Sequence, residues 1–105
     1  MKGLRGAFYF ERNGNGSLAG EFTNTITGNL FGETCEPIGS TTNLIGSYTT
    51  QWFDTEQRFA FLSITFKYTD TQNIYLLSWT TNNSIIFIGE GFLLNNTLIG
   101  HYSQL

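Results

Sequence analysis

The run Leu62 to Thr69, LSITFKYT, constrains this chain more than any other stretch. Leu62, Ile64, Phe66 and Tyr68 alternate with Ser63, Thr65, Lys67 and Thr69, giving one apolar and one polar face with a period of two, as a half-buried strand requires. After the polar tip DTQN (70–73), IYLLSWTT puts Tyr75, Leu77 and Trp79 on one face and Ile74, Leu76 and Ser78 on the other. The two segments read as a hairpin. Elsewhere turn residues recur at short intervals, NGNG at 13–16, TGN at 27–29, and NN at 82–83 and 95–96, and no stretch carries a helical stripe. Eight strands are predicted, at 4–12, 17–26, 29–35, 43–53, 58–69, 73–81, 85–94 and 97–104. Joined in order by hairpin-length connections, they imply an all-β fold, an eight-stranded antiparallel up-and-down β-barrel, forming a single domain over 1–105. Closure removes the bare sheet edges, and a barrel of this size has an interior wide enough for one small ligand.

Composition agrees with strands, since 16% of residues are aromatic and there is a single Pro. It also excludes several kinds of function. With a net charge of −3 there is no basic face to attract phosphates, so no nucleic-acid partner is expected. Cys35 is the only Cys and His101 the only His. No internal disulfide is possible, no zinc site is expected, and no cofactor is implied. Cys35 reads as a buried small hydrophobe. No apolar run approaches the roughly 20 residues of a membrane helix, so no membrane partner is expected. MKGLRGAFYF lacks a signal-peptide core, so a secreted form would need a leader outside these residues. Asp54, Glu56 and Arg58 in WFDTEQR read as a solvated charge cluster rather than an acid/base pair. His101 falls on an outward register. No nucleophile and base are paired by the sequence, and no enzyme is expected.

A short pattern recurs: LRGAF (4–8), LAGEF (18–22), LIGSY (44–48) and LIGHY (98–102). Leu-x-Gly-x-aromatic puts all three residues on one strand face. Gly6, Gly20, Gly46 and Gly100 are therefore expected where strands coil tightly or where another backbone passes close.

These segments together resemble the avidin and streptavidin family. ITFKYTDTQNIY (64–75) is similar to the family's fifth strand, turn and sixth strand. TLIGHY (97–102) is similar to the last strand, LIGSY to the fourth, GNLFGET (28–34) to the third, and GFLLN (91–95) to the Trp-Leu-Leu stretch of the seventh. The resemblance spans nearly the whole chain. It implies a barrel that binds biotin noncovalently in one open end. Asn13 and Ser17 of NGNGS match the family's Asn-x-x-x-Ser pair at the ureido oxygen, although NGNGS also reads as a Gly-rich hairpin turn, and a different first-strand alignment puts Phe10 at the Asn position. Thr34 stands in place of a ligand Tyr, and Glu36 in place of a Ser or Thr. Phe66 and Phe92 replace wall tryptophans, and Tyr75 matches an aromatic wall position, with Tyr68 beside them. Thr69 and Thr71 fall where the family places hydroxyls near the valeryl carboxylate. Tyr102 replaces an Asp or Asn and adds bulk to the floor. The segment 33–43, ETCEPIGSTTN, is long enough to be the loop that folds over the ligand.

The expected function is thus noncatalytic binding of a small molecule, biotin or a related compound, with much weakened affinity. The alternative is a filled barrel, packed by Phe66, Tyr75, Trp79, Phe92 and Tyr102, acting as an interaction or oligomerisation module. Outward apolar residues (Ile74, Leu76, Ile99) favour a homo-oligomer, dimer or tetramer.

Overall fold

Alternation of apolar and polar residues is carried through nearly every strand. In a computed structural model that describes residues 4–26, 28–54, 56–70 and 73–105, eight strands run in chain order: β1 (Arg5–Arg12), β2 (Leu18–Thr23), β3 (Leu30–Thr42), β4 (Ile45–Phe53), β5 (Gln57–Phe66), β6 (Ile74–Thr81), β7 (Ser84–Leu94) and β8 (Thr97–Gln104). Each pairs antiparallel with its sequence neighbours, and β8 returns to β1 to close the barrel. The predicted up-and-down barrel is therefore the fold. Connections β1–β2, β3–β4, β5–β6 and β7–β8 gather at one end, here the Asn13 end. The remaining connections, the start of β1 and the end of β8 lie at the other, the Asp54 end.

The inward register supplies the core. Tyr75, Leu77 and Trp79 of β6 are buried against Leu62 and Ile64 of β5, as the alternation requires, together with Phe8, Phe10, Leu18, Tyr48 and Leu98. Each such side chain contributes roughly 1.5–3 kcal/mol by leaving water. Tight turns follow their residue types. Asn82 and Asn83, with φ of 52° and 65°, link the Thr81↔Ser84 pair in the left-handed conformation that a two-residue hairpin favours and Asn tolerates.

The repeated Gly pattern has a steric cause. A Cβ on Gly20 would land on the Tyr9 carbonyl, one on Gly100 on the Glu90 carbonyl, and one on Gly6 on the Thr23 carbonyl. Neighbouring backbones come this close because the barrel is small, and only a residue without a side chain fits there. Gly6 also leaves the Thr23 carbonyl free to accept the Tyr102 hydroxyl, at 2.7 Å.

Two expectations on boundaries are corrected. The segment 33–43 is not a loop over a ligand: residues through Thr42 continue β3, with a shift in register between Ile38 and Thr42. There Gly39 takes φ of 72° and bends the strand without ending its pairing. β5 stops at Phe66, so Tyr68 and Thr69 belong to the connection that follows. Thr27 and Thr71, which the sequence assigned to a turn and to the ligand site, lie outside the described residues.

Candidate functional site

Glu33 is a charged residue at an inward register of β3, between Gly20 of β2 and Trp52 of β4. It is 5% exposed. Its carboxyl Oε2 accepts the indole N–H of Trp79 at 2.9 Å and the hydroxyl of Thr50, and Thr50 in turn accepts the Cys35 thiol at 3.3 Å. Among the described residues both side-chain hydrogen bonds to this carboxyl land on Oε2 and none on Oε1. Burial pushes Glu33 up to about 7 despite the two donors, which lower it.

Glu33 lines a cavity of about 50 Å³ at the Asp54 end, room for a few water molecules. Its walls are aromatic rings set mainly edge to face, the geometry that ring quadrupoles favour. Trp52 and Phe87 have centroids 6.4 Å apart, Trp79 and Phe87 6.5 Å, Phe87 and Tyr102 5.5 Å, and Phe22 and Trp52 6.3 Å. The rim carries Leu4, Asn24 and Asp54. Burial, and then the charge of Glu33, push the Tyr102 hydroxyl up to about 12, so it stays protonated as it donates to Thr23.

Among the described residues, those expected to bind a ligand do not converge on this cavity, Tyr102 excepted. Asn13 and Ser17 lie at the opposite end. Asn13 Nδ2 donates to Ser17 Oγ at 3.0 Å, Ser17 Oγ donates to Asn15 Oδ1 at 2.7 Å, and Asn13 N donates to the Ser17 carbonyl at 2.8 Å. The pair does meet, as part of a hairpin turn that satisfies its own polar groups. Tyr75 is buried near the same end and Phe66 is half exposed at its rim, their rings 5.3 Å apart. Between these and the middle of the barrel, Phe10, Leu18, Tyr48, Ile64 and Leu98 are fully buried.

Three expected site residues point outward. Thr34 and Glu36 are exposed whereas Glu33 and Cys35 are buried, so the expected β3 contacts are one residue out of step, which in a strand means the opposite face. Phe92 is 42% exposed and neither lines nor fills the interior. The inward positions beside it are Gly89 and Gly91, because β8 carbonyls and neighbouring side chains occupy that space: a Cβ at Gly89 would meet the His101 carbonyl and the Trp79 ring, each at 3.0 Å, and one at Gly91 the Ile99 carbonyl at 2.9 Å and Leu98 at 3.2 Å. Tyr68 and Thr69 are exposed as well.

Other expectations are met. Cys35 is fully buried. His101 is exposed on β8. Arg58 lies 3.4 Å from both Asp54 and Glu56 in an exposed ion-pair cluster. Sequence reasoning missed Glu33, Phe22, Trp52 and Phe87 as cavity residues. The available signal was a carboxylate two residues before a Cys expected to be buried, which puts both on one face.

No family model, curated protein or solved structure matches the chain.

Proposed function

We propose that the chain is a noncatalytic barrel that binds a small molecule in the aromatic cavity at its Asp54 end. The observation that carries this reading is Glu33, a 5%-exposed carboxyl in an aromatic-walled cavity, whose Oε1 accepts no side-chain hydrogen bond among the described residues. A few polar groups set among apolar walls characterise ligand pockets. Trp52 and Trp79, the only two tryptophans, both line this cavity, so intrinsic fluorescence reports directly on its occupancy. A saturable fluorescence change with a small molecule, abolished by Glu33→Gln, supports the reading. The absence of any response across a chemically diverse set overturns it and leaves the filled barrel.

A second reading is biotin or a related compound at the Asn13 end, with micromolar affinity or weaker. It is favoured by the meeting of Asn13 and Ser17 and by Tyr75 with Phe66 nearby. Calorimetry with biotin separates the two: Asn13→Ala removes binding on the second reading, whereas Glu33→Gln removes it on the first. We also propose self-association through the outer face of β4 and β5, where Phe53, Phe59 and Phe61 are each more than half exposed. Sedimentation equilibrium tests it, with Phe59→Asp expected to give monomer.

A further inference from the structure

We infer that the ligand of this cavity is a small organic cation, a primary ammonium that donates to Glu33 Oε1 and packs against the rings of Trp52, Trp79 and Phe87. The inference rests on the reading of this cavity as a binding site and adds the chemical class of the ligand.

Charge gives the first argument. The ionisable groups lining the cavity are Glu33, Asp54 and Tyr102, and none of the described lining residues is cationic. Arg58, which follows the rim turn, is already held by Asp54 and Glu56 at 3.4 Å. An anion would meet the Glu33 carboxyl with no cationic lining residue beside it, whereas a cation meets an acceptor on the floor and, at the rim, a carboxylate shared with Arg58.

The walls give the second. Trp and Phe rings present negative π faces to a cation within ~6 Å of the centroid, and the attraction grows as water is removed. Here the rings of Trp52, Trp79, Phe87 and Tyr102 contact one another around the carboxyl, which is 5% exposed.

The hydrogen-bond pattern decides between ammonium types. Glu33 Oε1 accepts no side-chain hydrogen bond among the described residues, and a primary ammonium with three N–H donors can donate to it where a quaternary ammonium cannot. The volume of about 50 Å³ admits a small head group only. A metal ion is a poor fit, since no group of three His, Cys, Asp or Glu side chains converges among the described residues. Because burial holds Glu33 up to about 7, the carboxyl is poised near neutral pH, and an incoming cation would fix its ionised form.

The test is a titration of the isotope-labelled protein with ethylammonium chloride and, separately, with ethanol, at constant ionic strength, following the indole N–H resonance of Trp79. Ethylammonium is expected to shift that resonance saturably. Ethanol, which has the same carbon chain and no charge, is expected to bind about tenfold or more weakly, as loss of a charge-assisted hydrogen bond implies. Glu33→Gln, checked for a native-like spectrum, is expected to lose ethylammonium affinity by a similar factor. If the variant does not fold, the wild-type comparison of the two probes decides. Equal responses to ethanol and ethylammonium, or an unchanged response in a folded Glu33→Gln, overturn the cation while leaving a binding cavity. If neither probe shifts Trp79 but other small molecules change the fluorescence, the cation falls alone. If nothing binds at all, the cavity reading falls with it.

Discussion

The indole nitrogen of Trp79 lies 2.9 Å from Glu33 Oε2, joining β6 to β3 across the barrel interior over 46 positions of sequence. This bond stabilises a carboxylate that burial otherwise disfavours, so the two residues set one titration between them.

Stability should therefore fall as pH rises. The Glu33 carboxyl is raised from 4.5 to about 7 in the folded protein, so between those values the folded state binds more protons than the unfolded one. Its stabilising contribution is complete below about pH 4.5 and is lost as pH rises through about 7, a change on the order of 3 kcal/mol. Tyr102 and Cys35, both raised well above neutrality, do not titrate in that window. Urea denaturation at pH 5 and pH 8 should show the fall in the native protein and little of it in Glu33→Gln. In Trp79→Phe the transition should move to higher pH, because a donor to the carboxylate is gone.

Glycine substitutions should separate by position. Gly20→Ala drives a Cβ into the Tyr9 carbonyl, whereas at Gly32 nothing lies within 4 Å of the added atom. We expect Gly20→Ala to lose about 3 kcal/mol or more and Gly32→Ala to change stability by no more than about 0.5 kcal/mol. Equal denaturation midpoints would contradict the close strand approach.

Leu77 and Phe92 test which face each strand turns inward. Leu77 is fully buried and Phe92 is 42% exposed, so Leu77→Ala should cost about 2–5 kcal/mol. Phe92→Ser, at a partly exposed outer position, should cost about 1 kcal/mol or less. Thermal unfolding of the two variants gives the comparison directly.

The Cys35 thiol should be inert in the folded protein. It is fully buried, and its ionisation is suppressed first by burial and then by the nearby charge of Glu33. Labelling with a thiol reagent should proceed only at the rate at which the barrel opens, and at once in denaturant.

The barrel was legible in the sequence because alternation and turn chemistry are local properties. LSITFKYT carries one apolar face, the larger residues Tyr75, Leu77 and Trp79 of IYLLSWTT share one face, and Asn82-Asn83 supplies its own turn. The Leu-x-Gly-x-aromatic repeat was legible for the same reason, since a missing side chain signals a neighbour that is too close. β3 was not. Its residues LFGETCEPIGSTT mix apolar and polar types on both faces, Leu30, Thr34, Glu36 and Ile38 on one and Phe31, Glu33 and Cys35 on the other, so periodicity alone does not say whether Glu33 or Thr34 turns inward. Phe92 shows the opposite difficulty. The rule that apolar residues face the core fails there because the room inside β7 is filled from β6 and β8, leaving space only for Gly89 and Gly91. The candidate cavity depends on both registers, which is why its end of the barrel was not evident from motifs.

Closure of the barrel has a consequence for how the chain assembles. Seven of the eight pairings join strands adjacent in sequence, and only β1 with β8 joins the extremes. Hairpins can therefore zip in any order, but sealing the ring carries the loop entropy of the whole chain. A species that has zipped without sealing presents two bare edges that complement each other, in itself or in a second copy. At high concentration, exchange of the seam between chains competes with closure, and dilute refolding favours the monomeric ring.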